Sequence, residues 1–328
     1  MQLNLQGGGK MRKYVKYEIE LVTKAPFRIG GVKPVPGTTD VDSPIVKLGN
    51  RVVVQGTSLK GALRAELERY MIDQFFDKAN NQWKDEWMKP CIPADIRTIS
   101  PDEKKLIERG LYKYSCHYPN KLLFELRQNI ESILRSRNLS QLQREFKEPL
   151  SNNAKISQVS DTEWEIVDNP NRYKITKQND KLLVFEDDYI CPICYLLGAR
   201  GLVGFVEVPF LNIEKGSAET LQFIREDRVV GTSAKGERGA LGKYEAVPQG
   251  SVFKGIMTIL DEDDIIGWKL GEPRDLAESK GDKWLEYGNW TRDKILKELI
   301  EDRLKAITKL GGYKSKGFGD VQINVRKL

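Results

Sequence analysis

Arg51-Val52-Val53-Val54-Gln55-Gly56-Thr57-Ser58-Leu59-Lys60-Gly61-Ala62-Leu63-Arg64 carries the chain from a short apolar strand through a small-residue turn into a helix. The three valines favour a strand because β-branched side chains fit a pleated, half-buried surface. Thr57 or Ser58 can cap the helix, and Leu59, Leu63, Leu67 and Tyr70 then share one face at helical spacing. Upstream, residues 13–23 alternate, with Val15, Tyr17, Ile19 and Leu21 against Lys16, Glu18 and Glu20, which predicts a half-buried strand. A glycine- and proline-rich loop over 26–44 separates the two strands.

Downstream, the texture changes from 73 to 188. Trp83, Trp87, a helical stretch over 120–137 and a polar run over 151–161 suggest an insertion with its own small structure. Regular patterning returns at Cys191. Residues 204–210 and 251–260 read as strands, and 319–325 as a last strand. Residues 291–310 form an amphipathic helix with Ile295, Leu299, Ile300, Leu304 and Ile307 on one side, and Gly311-Gly312 would supply its left-handed cap. Without the insertion the order is strand, loop, strand, helix, strands, helix, strand. That order fits an α+β, ferredoxin-like (RRM-type) sheet with helices on one face. The expected division is a core of 1–72 and 189–328 with an insertion over 73–188.

The 328 residues, 40% hydrophobic and 30% charged, describe a globular chain able to bury a sizeable core. No apolar run approaches the ~20 residues of a membrane span, and no basic-then-apolar leader opens the sequence. A cytoplasmic protein is expected, with no membrane partner. The opening Met1 to Lys10, which precedes a second Met11, is not expected to belong to the fold. A net charge of +6 permits phosphate binding without demanding it, because 53 Lys+Arg nearly cancel against 47 Asp+Glu. Four cysteines argue against a disulfide scaffold, and a single histidine argues against serine–histidine hydrolysis.

Two turns could hold phosphate. In Gly311-Gly312-Tyr313-Lys314-Ser315-Lys316-Gly317-Phe318-Gly319 the glycines allow close backbone approach, Lys314 and Lys316 supply charge, and Tyr313 and Phe318 offer rings for base stacking. At 56–64 a helix amino end carries Ser58, with Lys60 and Arg64 one turn apart. Alone, the 311–319 segment reads equally well as a cap and turn, and the 56–64 segment reads better as an ordinary helix cap with surface cations. Together, a GxSLKGxLR segment early and a GGxxxxGFG loop before the last strand resemble the RAMP (repeat-associated mysterious protein) superfamily of CRISPR systems. Ile29-Gly30-Gly31, followed by Asp40-Val41-Asp42-Ser43-Pro44-Ile45-Val46-Lys47, is similar to the backbone subunits of type III Csm and Cmr complexes. Gln55 departs from the proline usual in those relatives.

The resemblance implies a ferredoxin-like core with a large insertion and a β-hairpin thumb at about 225–250, entered by Arg225 and Arg228 as phosphate contacts. It also implies a helical filament of such subunits along a guide crRNA, with target single-stranded RNA, neighbouring RAMP subunits and a large polymerase-cyclase-type subunit as partners. Asp42 would then be the residue required for cutting the target, with Asp40 sharing a divalent metal such as Mg2+; the plain alternative is a pair of loop aspartates making Asx turns. A non-catalytic capping subunit is the other reading. A precursor-processing endoribonuclease ranks lower, since such enzymes commonly use histidine and this chain has only His117. Cys191-Pro192-Ile193-Cys194 offers two thiolates to a structural Zn2+, with Cys91, Cys116 and His117 as the remaining candidate ligands; the competing readings are two buried thiols and a redox pair, the latter without the thioredoxin-like context it needs.

Overall fold

The structure, a computed structural model, describes residues 11–31, 41–94, 99–113, 115–116, 122–126, 130–146, 150–168, 171–178, 181–186, 189–224, 241–276 and 281–328. It is a mixed α/β chain with antiparallel sheets, and it divides into two compact units. The first comprises Met1–Leu67, Val206–Glu262 and Arg292–Leu328; the second comprises Glu68–Phe205 and Asp263–Thr291. The boundary therefore falls within the helix Gly56–Phe75, and residues 189–205 and 263–291 join the inserted segment rather than the core.

In the first unit the strands lie in the order Val321–Lys327, Arg12–Thr23, Val252–Asp263, Leu211–Lys215, Arg51–Val54, Lys47–Leu48. The first pair is antiparallel, with Ile19 opposite Val325 and Leu21 opposite Ile323. Alternation decides the faces: Val15, Tyr17, Ile19 and Leu21 are buried, while Glu18, Glu20, Lys254 and Arg326 lie on the outer face. That face is compensated by cross-strand pairs, Lys254 to Glu20 at 3.0 Å and Arg326 to Glu18 at 3.0 Å. On the buried side, Leu59, Leu63 and Leu67 of Gly56–Phe75 and Ile295, Leu299 and Leu304 are fully buried. Arg292 ties the later helical segment to the sheet by donating to Asp261 at 2.9 Å. Strands Glu219–Ile224 and Leu241–Ala246 form a separate antiparallel pair; the expected thumb tip, with Arg225 and Arg228, lies outside the described residues.

Several expected bounds move. The first helix begins at Gly56, and the Gln55 carbonyl accepts from the Ser58 and Leu59 amides, so Thr57 and Ser58 occupy its first turn instead of capping it. The last helical segment ends at Ala306, capped at Ile307, five residues before Gly311. A seven-residue π-helical stretch, Ile295–Glu301, lies inside it. The stretch expected as helix over 120–137 splits into a strand, Leu122–Leu126, and a short helix, Ile130–Arg135. Pairing with Lys181–Glu186 fixes that strand, which a local period cannot foresee.

The second unit contains a five-stranded antiparallel sheet in the order Leu122–Leu126, Lys181–Glu186, Asn171–Gln178, Glu163–Asp168, Lys155–Ser160. Trp164, Ile166, Tyr173, Ile175 and Val184 build its core with Ile130, Leu134 and Leu142. Elsewhere in this unit Arg274 and Asp282 form a bidentate pair at 2.9 Å, both side chains 0% exposed, and the guanidinium lies 4.8 Å from the Tyr195 ring centroid. Among the described residues no helix is long and apolar enough to cross a membrane. Removing one partner of the Arg274–Asp282 pair strands a buried charge. Arg274→Ala should therefore destabilise the protein by roughly 3–5 kcal/mol in denaturant melts, and an unchanged transition would show that the pair is not held dry.

Candidate functional site

The acidic loop is built by backbone pairing within the first unit. The Val46 amide donates to the Ile29 carbonyl at 2.9 Å, and the Gly31 amide to the Pro44 carbonyl at 2.9 Å. This ladder leaves no room at Gly31, where a Cβ would stand 2.9 Å from the Ile45 carbonyl oxygen. On the other side, Ser43 bridges Tyr244 in parallel. The Asp42 amide donates to the Lys243 carbonyl at 3.0 Å, and Asp42 Oδ2 accepts from the Lys243 amide at 2.8 Å. One carboxylate oxygen of Asp42 is thus pinned to the base of the hairpin strand. The residue is exposed, and Oδ1 has no partner among the described residues. Glu245 secures the flank: it accepts from the Ile45 amide at 3.0 Å and pairs with Lys47 at 2.7 Å. Partial burial opposes its ionisation, yet Lys47 and the Ile45 N–H hold its carboxyl below the ordinary range.

The glycine turn closes on the same segment. The Gly312 amide donates to the Arg28 carbonyl at 2.9 Å, and the Gly319 amide to the Pro26 carbonyl at 3.0 Å. Gly311 has φ +88°, and a Cβ there would lie 2.3 Å from the Arg28 oxygen, so its positive φ serves this approach and not a helix cap. Lys314 and Lys316 are exposed on a 3-10 turn, and Tyr313 is half-buried. Phe318, expected to offer a stacking face, is only 8% exposed; its ring packs against Tyr244 at 5.7 Å and Tyr313 at 6.0 Å. The half-buried Tyr313 ring packs with Arg28 at 4.5 Å and Lys316 at 4.8 Å.

Arg28 and Tyr244 join the acidic loop to the glycine turn, and sequence reasoning passed over both. The Arg28 guanidinium donates to the carbonyls of Ser43 at 3.2 Å and Pro44 at 3.3 Å, and lies 4.5 Å from the Tyr313 ring centroid. The one signal was a cation beside the Ile29-Gly30-Gly31 turn. A groove of about 540 Å³, lined by Gly30, Gly31, Pro44, Ile45, Val46, Lys47 and Gln55, connects the flank of the acidic loop to the residue preceding the first helix. Ser58, Lys60 and Arg64, in the first turns of that helix, are half-buried. Asp40 lies outside the described residues, so no carboxylate pair can be placed.

In the second unit the Sγ atoms of Cys91, Cys116, Cys191 and Cys194 lie within 4.8 Å of one another, all buried. His117 is outside the described residues. Cys191 precedes the helix Pro192–Leu197, and its sulfur accepts from the Cys194 amide at 3.4 Å. Cys91 is placed by its bridge to Lys113, and the Cys116 sulfur accepts from the Cys191 amide at 3.4 Å. Thiolates about 2.3 Å from a zinc ion would lie ~3.8 Å apart, so this set fits a tetrahedral metal. Burial opposes ionisation, but the thiols of Cys116, Cys194 and Cys91 and the Lys113 ammonium pull Cys191 well below the usual thiol range. Hydrogen bonding with Cys116, Cys191 and Cys194, with burial added, pushes Cys91 well above it. Four close thiols cannot all ionise without a cation among them.

One solved structure similar to this chain is described as the cryo-EM structure of the type III-B Cmr-beta bound to cognate target RNA. It is 14% identical, with 94% of this chain and 96% of that chain covered and a TM-score of 0.37. No curated protein matches. The model of the RAMP superfamily matches residues 20–322. This chain belongs to the RAMP superfamily.

Proposed function

We propose that this protein is a guide-RNA-binding backbone subunit of a type III CRISPR interference complex and that it cleaves the paired target RNA at Asp42. The observation that carries the reading is a carboxylate pinned through one oxygen, with the other exposed, beside a glycine turn bearing Tyr313, Lys314 and Lys316. Family membership and the ordered sequence elements support it. So does the strand order. With one helix after the first strand and another before the last, the order Val321–Lys327, Arg12–Thr23, Val252–Asp263, Leu211–Lys215 is compatible with the ferredoxin-like core of this reading.

RNA carries its own nucleophile. The 2′-hydroxyl oxygen attacks the adjacent phosphorus in line, the bond to the 5′-oxygen breaks, and a 2′,3′-cyclic phosphate and a 5′-hydroxyl result. Asp42 Oδ1 orients that hydroxyl and takes its proton, while the 5′-oxygen is protonated from water. A divalent ion such as Mg2+ would supply charge neutralisation at the phosphate, and a single exposed carboxylate suits an ion that keeps most of its waters. Lys60, Arg64 and Ser58 at the first helix, Lys314 and Lys316 on the turn, and Arg225 and Arg228 of the thumb contact backbone phosphates, while Gly312 gives its one amide to the Arg28 carbonyl, so that base pairing, not the protein, reads sequence. The outer sheet face, which stacks bases in an RRM, is here occupied by compensated Lys–Glu and Arg–Glu pairs. RNA is thus held at the loops.

The four-cysteine cluster is a structural zinc site in this reading. Zinc would convert all four thiols to thiolates, and the Lys113 ammonium, 4% exposed, offsets part of the excess negative charge.

In the assembled complex with its guide, Asp42→Ala should slow target cleavage by roughly 10²–10⁴-fold while guide and target remain bound. Unchanged cutting at every site would instead favour a non-catalytic structural or capping subunit. Elemental analysis should find about one zinc per chain. Cys91→Ser should lose the metal and melt at lower temperature, and zinc uptake should weaken as pH falls, because protons compete for the same sulfurs. A Cys91→Ser protein that kept its full metal content would contradict the four-thiolate site.

A further inference from the structure

Arg28 is 6% exposed, a burial depth at which a charged group costs free energy unless it is paired. Among the described residues no carboxylate pairs with it directly, and its Nε finds no hydrogen-bond partner. The nearby Glu245 is taken by Lys47 and the Ile45 amide. What the guanidinium does contact is two loop carbonyls, of Ser43 at 3.2 Å and Pro44 at 3.3 Å, and two rings, Tyr313 at 4.5 Å and Tyr244 at 5.8 Å. Its own backbone carbonyl receives the Gly312 amide. One residue thus touches the acidic loop, the hairpin base and the glycine turn.

An apolar side chain of similar length would fill the space between the two rings without desolvating a charge. Buried ions replaced by well-packed apolar groups often leave stability unchanged or raised. Stability alone therefore does not account for a guanidinium here. Its distinguishing contribution is the pair of hydrogen bonds to the residues that follow Asp42. We propose that Arg28 is a positioning residue that fixes the Asp42 carboxylate relative to the turn that holds the guide RNA. The proposal rests on the reading of Asp42 as the cleaving group.

The test compares Arg28→Met, Arg28→Lys and Asp42→Ala in the assembled complex with guide, under single-turnover conditions. Melting temperature, guide occupancy and target affinity are measured alongside the cleavage rate. Arg28→Met should keep its melting temperature, guide and target affinity, yet cut about 10²-fold more slowly, the scale of an angstrom-sized misplacement. Arg28→Lys, which retains the charge but not the planar fork, should recover part of that rate. Cutting by Arg28→Met at the unsubstituted rate, with Asp42→Ala inactive, overturns the proposal and leaves the function intact. Loss of guide or of assembly in step with cleavage also overturns it, because Arg28 would then be an anchor of the fold. If Arg28→Met does not fold, Arg28→Lys decides: slower cutting at unchanged target affinity supports the role, and an unchanged rate refutes it. Asp42→Ala cutting normally removes the function and this role together.

Discussion

The hydrogen bond from the Gly312 amide to the Arg28 carbonyl, 2.9 Å long, sets the terms for the candidate site. It brings the last loop of the chain against one of the first, and the approach is close enough that only glycine fits at 311. Around it the zipper continues: Gly319 donates to Pro26, and Lys24 donates to Asp320 at 2.7 Å. Because Phe27 exchanges two backbone bonds with Val247, the hairpin base joins the same knot. The Asp42 loop is then held between segments that are already fixed. Residues far apart in sequence are positioned here by backbone pairing, which tolerates side-chain variation, and only a few side chains have to be specified.

Under the proposed function, that arrangement would let a chain of modest net charge bind phosphate. Its +6 is a small difference between large numbers of cations and anions, and on the outer sheet face the two signs cancel locally. Exposed pairs of this kind add little stability, yet they leave that face with little net field. The glycine turn instead presents Lys314 and Lys316 next to backbone amides and a tyrosine ring.

What could be read from the sequence follows the reach of each signal. Strict alternation at Val15, Tyr17, Ile19 and Leu21 has a period that survives any context, and the strand Arg12–Thr23 lies where it was expected. The cysteines were legible too, since thiol chemistry limits what four of them can do in one chain, and the structure brings them together. Leu122, Leu123, Phe124 and Leu126 fit either a helix face or a strand, and a partner strand about sixty residues away settles the matter. The sequence around Gly311 predicts a local cap, whereas its φ answers a contact with Arg28. Phe318 looked like an exposed ring because nothing in its neighbourhood announces Tyr244. Arg28 carried no period at all, and its meaning comes entirely from contacts made after folding.

The two candidate centres also divide the chemistry between them on physical grounds. A metal enclosed by four buried sulfurs has no open position for water or substrate, so its contribution would be to hold chain segments together. Asp42 is the reverse case, exposed and with one oxygen uncommitted among the described residues. A lone exposed carboxylate is a weak base in water, and what raises its value is placement. Fixing Oδ2 to the Lys243 amide restricts the rotation of the carboxylate, freedom that a cleaving group would otherwise lose in the transition state. Under the proposed function the substrate brings its own nucleophile, so a site of such sparse composition would serve for RNA and would fail on DNA, where the 2′-hydroxyl is missing.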